Sequence, residues 1–443
     1  MKPSGCWTRT QFSSTGVIGW TGTYRSIGIW IGWSLLIAAL TVGTVPSLLH
    51  ATLAVAALAV AMGASIARPR PRKLTAVIFL AWVFRIALLA LLTAQSQRSG
   101  TGVYYLRSGD AAAYHRLAQS VLETDSWAVW GNLPSYTYVV AAMYKIFGPD
   151  PNVANILNIG ISLIIVPYIY ELGRECGGSR AGLVAAVAYS IYPSMILWSV
   201  SMVKDVWIVL AVVICARATA SISRGQSYAR DSVGLVVGCG LLAFFRYQYV
   251  LIVPVGLLLS IALSGKRHRR AILASVVVAL VMMLFVSMSA IGIRATELVT
   301  ESLEEGSWLT SQELALAGGS GISALSGVPA RYRWIAQLPF VILAPFPWKW
   351  LTTGRGINRL SGLETAMMYV CYYVIVAGRR RWAGDASSGA LIAYAFAVYL
   401  AVSFSLPNLG SIYRYRIAGN VLLLPVAIAV LVRWKGGKKG GDV

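Results

Sequence analysis

Twelve apolar segments, most of them about as long as a bilayer is thick, constrain this chain more than any other feature. They fall at about 27–49, 51–67, 74–94, 153–173, 181–200, 206–222, 232–245, 249–263, 271–291, 363–378, 388–405 and 417–433. A transmembrane helix needs about 20 predominantly apolar residues. Over the whole chain 57% of residues are hydrophobic and 12% are charged, with a mean hydropathy of +0.67. A soluble domain carries about twice that charged fraction. The chain is therefore expected to be an all-α polytopic membrane protein of about twelve transmembrane helices. Two further apolar stretches, 134–147 and 334–350, are short or broken by Pro, Lys and Trp, and are expected at the interface or as re-entrant pieces.

A net charge of +22 would suggest nucleic acid in a soluble chain. Here the cations sit in short runs between apolar segments, the pattern of the positive-inside rule. Attraction to anionic headgroups or phosphate-bearing substrates is the better expectation, and no nucleic-acid partner is expected. Placing RPRPRK (68–73), RECGGSR (174–180), 217–230, KRHRR (266–270), RRR (379–381) and KGGKK (435–439) on one side makes that side cytoplasmic, together with both termini. The opposite side then receives the 95–152 loop, the turns 201–205 and 246–249, the 294–361 region and the 407–416 loop. The corresponding divisions are an N-terminal segment and hairpin at 1–73, a membrane core at 74–291, an outer loop or lid with a re-entrant segment at 292–361, and C-terminal helices with a basic tail at 362–443. Lys2, Arg9 and Arg25 precede a long apolar run without a small-residue cleavage site, so the first helix is expected to be retained. Cys6, Cys176, Cys215, Cys239 and Cys371 are scattered and read as small hydrophobes. Three histidines without metal-binding spacing give no zinc site.

The residues with chemistry to offer converge on the outer side. In SGDAAAYHRLAQSVLETDSW (108–127), apolar Ala113, Leu117, Val121 and Leu122 recur at helical spacing after Asp110. Asp110 is either an N-cap or a carboxylate placed to take a proton from an acceptor hydroxyl. Tyr114 and His115, one turn on, are candidates to order that site or bind a sugar hydroxyl. YPSMILWSVSMVKD (192–205) reads as a helix rising to the outer face and closing on Lys204 and Asp205. Lys204 is an interface anchor or a ligand for a lipid phosphate, with Asp205 facing the same cavity as Asp110. Arg246 in FFRYQY (244–249) sits in a tight outer turn and wants a phosphate or carboxylate. Arg414 and Arg416 in PNLGSIYRYRIAGN (407–420) oppose the positive-inside tendency, and a polyprenyl phosphate or diphosphate fits them as well as headgroups do. Glu297, Glu301, Glu304, Glu305 and Glu313, followed by GGSGISALSG (318–327), suit a solvated helix or a lid. Trp348 and Trp350 suit interface anchoring, Glu364 the first turn of the next helix, and Arg85 a cavity or a partner inside the membrane.

These stretches resemble the GT-C superfamily of membrane glycosyltransferases, which includes the protein O-mannosyltransferases of family 39 and the aminoarabinose transferases that modify lipid A. GDAAAYHRLAQSVL looks like the family's first-loop acidic motif, 134–148 its juxtamembrane helix ending in Phe-Gly, and 155–205 its next two helices with the proline-bearing end and closing Asp. The RYR ahead of the last helix is similar to that of many bacterial members, including proteins of exopolysaccharide gene clusters. The resemblance implies transfer of a sugar from a polyprenyl-phosphate donor to a glycan, lipid or protein acceptor at the outer face, with Asp110 contributing to the base and Asp205 near the lipid phosphate. It implies no certain cofactor: many members carry an acidic pair or DxD motif, whereas this chain has a lone Asp110 and Lys204 beside Asp205, so a divalent metal stays an open possibility. A polysaccharide polymerase using lipid-diphosphate-linked units and a lipid-linked sugar flippase are the alternative functions.

Overall fold

A computed structural model of the chain describes residues 71–98, 109–125, 127, 134–225, 228–263, 328–349, 356–404 and 409–437, with isolated positions between 273 and 325. Every regular element among them is helical. Six stretches are long and apolar enough to cross a membrane, and the chain is an integral membrane protein. The expected spans at 27–49 and 51–67, nearly all of 271–291, Trp350, and the glutamates of the 294–333 loop lie outside the described residues.

The core begins with α1 (Arg72–Arg98), which packs on the 40-residue stretch α4 (Pro151–Ser190). Only 28% of the most apolar window of α1 is buried, against 94% in α4, so α1 lies at the edge of the bundle while α4 is enclosed. As one straight helix α4 would put Ser162 and Tyr189 about 40 Å apart at 1.5 Å per residue. The Tyr189 hydroxyl instead donates to the Ser162 carbonyl at 3.0 Å. The chain reverses at Gly177 and Gly178, whose backbone leaves helical geometry, with Gly178 at a φ of +84°. Glycine supplies that left-handed turn without a Cβ penalty. The two helices expected from the sequence are therefore present as an antiparallel hairpin.

The second arm ends at Ser190, earlier than the expected 200. Pro193 has no N–H to continue a helix and is preorganised to start one, so a new seven-residue helix, α5 (Pro193–Ser199), follows. Asp205 thus opens α6 (Asp205–Ser223) and does not close a longer helix. α7 (Tyr228–Arg246) packs along α6 and breaks at Arg246 into a 3-10 segment, Tyr247–Leu251, before α8 (Ile252–Leu263). α9 (Ala330–Leu343), α10 (Gly356–Ala377), α11 (Arg379–Trp382), α12 (Ala386–Ser403), α13 (Leu409–Tyr415) and α14 (Ile417–Gly437) complete the described bundle. α12 packs on α6, α8, α9 and α14, and α14 packs on α4.

Beside the long helices, α2 (Gly109–Glu123) lies on α3 (Ser135–Phe147), a short helix over the apolar stretch 134–147. The buried stripe of α2 is Ala111, Tyr114, Ala118 and Val121, not the expected 113–117–121–122 face. Tyr114 decides the difference: its ring meets Tyr136 edge-on at 5.0 Å, so an amphipathic tyrosine takes the place given to aliphatic residues.

Candidate active site

Two carboxylates and one guanidinium, separated by up to 304 residues in sequence, meet at the end of α6. Arg414 of α13 donates through Nε to Asp205 Oδ2 at 2.6 Å and through Nη1 to Asp110 Oδ2. The two acids are held differently. The Asp110 side chain is 51% exposed and that of Asp205 only 6%. Asp110 is in the first turn of α2, so its expected capping position is one of two possible uses of the carboxylate, and the ion pair is the other. Burial opposes the charge on Arg414, but the two carboxylates overcome it and hold its pKa above the ordinary arginine value. Burial, with Asp110 and Asp205 next, raises the pKa of the Tyr114 phenol.

Lys204 precedes Asp205 and is within electrostatic reach of Arg246, Asp205, Arg414 and Asp110. Burial, then Arg246, lower its ammonium pKa to about 8. Arg246 lies with its guanidinium 3.4 Å from the Tyr415 ring centroid and 4.7 Å from that of Tyr249. Its buried Nη1 has no hydrogen-bond acceptor among the described residues. Asp205, Arg246, Tyr249, Arg414, Tyr415 and Ala418 line a cleft of about 10 Å³. Ligand pockets usually hold about 300–1,000 Å³. With Arg414 clamped to both acids the cleft has room for about one water beside the cations and is too small for a glycosyl lipid headgroup.

The other expected site residues lie at a distance from this cluster in their contacts. His115 joins the Tyr144 hydroxyl at 2.7 Å, which fastens α2 to α3, and burial lowers its pKa. Arg416 faces away from Arg414. It is 2% exposed, and it donates to the carbonyls of Val341 and Ala344 and to Thr365 Oγ1, with the Thr365 bond at 2.8 Å. Its described role is to satisfy the carbonyls ending α9. Arg85 is fully buried and donates to Ser199 Oγ and to the Ala81 and Ser190 carbonyls, covering the end of α4. Glu364 is not in the first turn of a helix, since α10 starts eight residues earlier; it is buried and accepts from the Tyr192 hydroxyl at 2.7 Å and from Ser194.

Three neighbours of the cluster escaped sequence reasoning. Trp198 lies with its ring centroid 5.4 Å from the Arg414 guanidinium, and Tyr415 stacks on Arg246. Asn158, in the middle of a span, donates to the Ser201 and Val203 carbonyls at 2.7 and 2.8 Å and accepts from Trp207 Nε1 at 2.9 Å. It staples the turn that carries Lys204 and Asp205. An Asn inside an apolar run was the available signal, because a polar group there needs a partner.

Among the described residues no three His, Cys, Asp or Glu side chains stand together as metal ligands. Asp110 and Asp205 already share Arg414 as their cation. These donors do not fit a metal centre.

Residues 133–291 match the family model described as dolichyl-phosphate-mannose-protein mannosyltransferase. No curated protein matches the chain. Among solved structures, the archaeal oligosaccharyltransferase AglB from Archaeoglobus fulgidus, in complex with an inhibitory peptide and a dolichol-phosphate, is similar at 14% identity and a TM-score of 0.46. That similarity covers 84% of this chain and 52% of the other, so the chain spans about half its length. The Archaeoglobus fulgidus oligosaccharyltransferase tethered to an acceptor peptide containing the NVT sequon is similar at 12% identity and a TM-score of 0.35, over 66% of this chain and 40% of that one. The family match takes in Asp205, Arg246 and Tyr249, three of the residues lining the cleft, within an all-helical membrane bundle. Over residues 133–291 the chain is therefore similar to that family of membrane mannosyltransferases.

Proposed function

We propose that the chain transfers a sugar from a polyprenyl-phosphate donor to an acceptor hydroxyl at the extracytoplasmic face, in synthesis of a cell-envelope or exopolysaccharide glycan. The observation that carries this reading is the bridge from Arg414 to both Asp110 and Asp205. Lys204, Arg246 and Arg414 set three cations against two carboxylates, leaving positive charge for a donor phosphate. The free Nη1 of Arg246 is a donor without an acceptor, as a phosphate oxygen would require.

In this mechanism the donor phosphate draws Arg414 from Asp110, which is exposed enough to meet an acceptor. Asp110 takes the acceptor proton as the hydroxyl oxygen bonds to the anomeric carbon. The bond from that carbon to the phosphate oxygen breaks, its electron pair leaves on the polyprenyl phosphate, and the configuration inverts. The cations stabilise the charge developing on the leaving phosphate, and Asp205, buried, keeps Arg414 oriented. Two carboxylates thus take separate roles by environment. Three cations also suit a diphosphate, which favours the polymerase as the second reading.

The test is sugar transfer by the purified chain from synthetic lipid donors. Asp110→Asn is expected to lower the rate by roughly 10²- to 10⁴-fold, the usual contribution of a positioned base. An unchanged rate removes Asp110 as the base. Transfer from a lipid diphosphate but not a monophosphate selects the polymerase.

A further inference from the structure

The two sides of the Asp205–Arg414 contact are traced back to a single point in the bundle, the adjacent residues Glu364 and Thr365 of α10. On one side, Glu364 accepts from the Ser194 backbone N–H at 3.1 Å, from the Ser194 hydroxyl, and from the Tyr192 hydroxyl at 2.7 Å. These contacts cap the start of α5, which carries Trp198 and leads directly into Lys204 and Asp205. On the other side, Thr365 Oγ1 accepts from Arg416 Nη2 at 2.8 Å, two residues after Arg414. The Tyr192 hydroxyl closes the loop by accepting from Asn420 Nδ2 at 2.9 Å, one turn into α14. Glu364 is 3% exposed and Thr365 fully buried.

A carboxylate at that depth is costly unless every oxygen is satisfied, and its donors here come from one segment only. The strength of charge-assisted hydrogen bonds makes Glu364 a firm anchor for α5. A firm anchor matters because the cluster itself is built from short pieces: a seven-residue α5, a five-residue turn and a seven-residue α13. Such pieces do not fix side chains by their own length.

We infer that Glu364 is a positioning residue for the proposed transfer, and that with Thr365 it sets the separation of Asp205 and Arg414 from a buried layer behind the site. The inference rests on the reading of the cluster as the reacting centre. Glu364 touches no reacting atom in this arrangement; it acts through Ser194, Tyr192 and α5.

The experiment compares Glu364→Gln, Thr365→Val and Thr365→Ser in the full chain, purified in detergent. Two quantities are read per folded molecule: kcat for sugar transfer, and the emission of Trp198, isolated by difference against Trp198→Phe in each background. Glu364→Gln replaces one acceptor oxygen by a donor facing Ser194. It is expected to lower kcat roughly 10- to 100-fold, as misplacement of a reacting group by about 1 Å does, and to shift the Trp198 spectrum. Thr365→Val is expected to act in the same direction, and Thr365→Ser, which keeps the hydroxyl, to restore both readouts. If Glu364→Gln does not fold, the Thr365 pair decides. A variant that is only less heat-stable, with kcat and Trp198 emission unchanged, overturns the inference. Asp110→Asn separates the two levels: if it transfers sugar normally the proposed reaction is wrong, and if it is inactive while Glu364→Gln and Thr365→Val are normal, only the positioning role fails. Should the parent chain transfer no sugar, the Trp198 emission alone settles the positioning role.

Discussion

Lys204 carries the pH behaviour of the site. With its pKa lowered from 10.5 to about 8, chiefly by burial, the folded chain holds fewer protons than the unfolded chain between those values. Stability therefore rises with pH across that window. Phosphate binding runs the opposite way, because it needs the ammonium form, which is present below about 8 and lost as pH rises through it. The donor KM is expected to be flat at neutral pH and to climb above about 8, and Lys204→Arg should remove the climb. A KM–pH profile for both proteins checks this; an alkaline limb that survives the substitution assigns it to another group. At this scale Asp110, Asp205, Lys204, Arg246 and Arg414 were legible in the sequence, because charges where apolar segments end are costly without partners. Their shared opposition to the positive-inside tendency groups Arg416 with Arg414 in the sequence, and the structure parts them. Two residues along a helical path project to nearly opposite sides, so one arginine reaches the carboxylates and the other the end of α9.

The hairpin of α4 depends on two adjacent glycines for different reasons. A Cβ at Gly177 would lie 2.7 Å from Ala429 Cβ and 2.8 Å from Ala429 Cα, so α14 would have to move. At Gly178 there is open space, but φ is +84°. Gly178→Ala is expected to cost about 1–2 kcal/mol of stability from the left-handed conformation alone. Gly177→Ala should cost about 1–3 kcal/mol from overpacking and should also disturb the α4–α14 contact. Thermal unfolding in detergent reads both, and a neutral Gly177→Ala would mean that α14 is not tightly held against the turn. The sequence RECGGSR marked this reversal plainly. The end of the second arm was not legible by hydropathy, since residues 191–200 are as apolar as those before them. Pro193 decides it, through a missing N–H that hydropathy does not record.

Across the whole molecule, α6 joins two chemically different ends. Its 19 residues span about 28 Å at helical rise, close to the thickness of a hydrocarbon core. Asp205 stands at one end; at the other, Arg217 pairs with Glu171 at 3.1 Å and Arg224 with Glu175 at 2.7 Å. The basic runs at 174–180, 217–230 and 379–381 belong to that second end, which the proposed function takes as cytoplasmic on the positive-inside rule. Charge runs and segment lengths made the two unlike ends legible. The meeting of α2, α6 and α13 was legible only as a convergence on one face, because contacts between residues 110, 205 and 414 leave no local periodicity. The measurement closest to the account's core is the affinity of polyprenyl phosphate for the purified chain and for Arg414→Gln. Loss of a charged hydrogen-bond donor is worth about 1.5–3 kcal/mol, so affinity is expected to fall roughly 10- to 150-fold. Equal affinity in the two proteins would contradict the assignment of this cluster to the lipid phosphate.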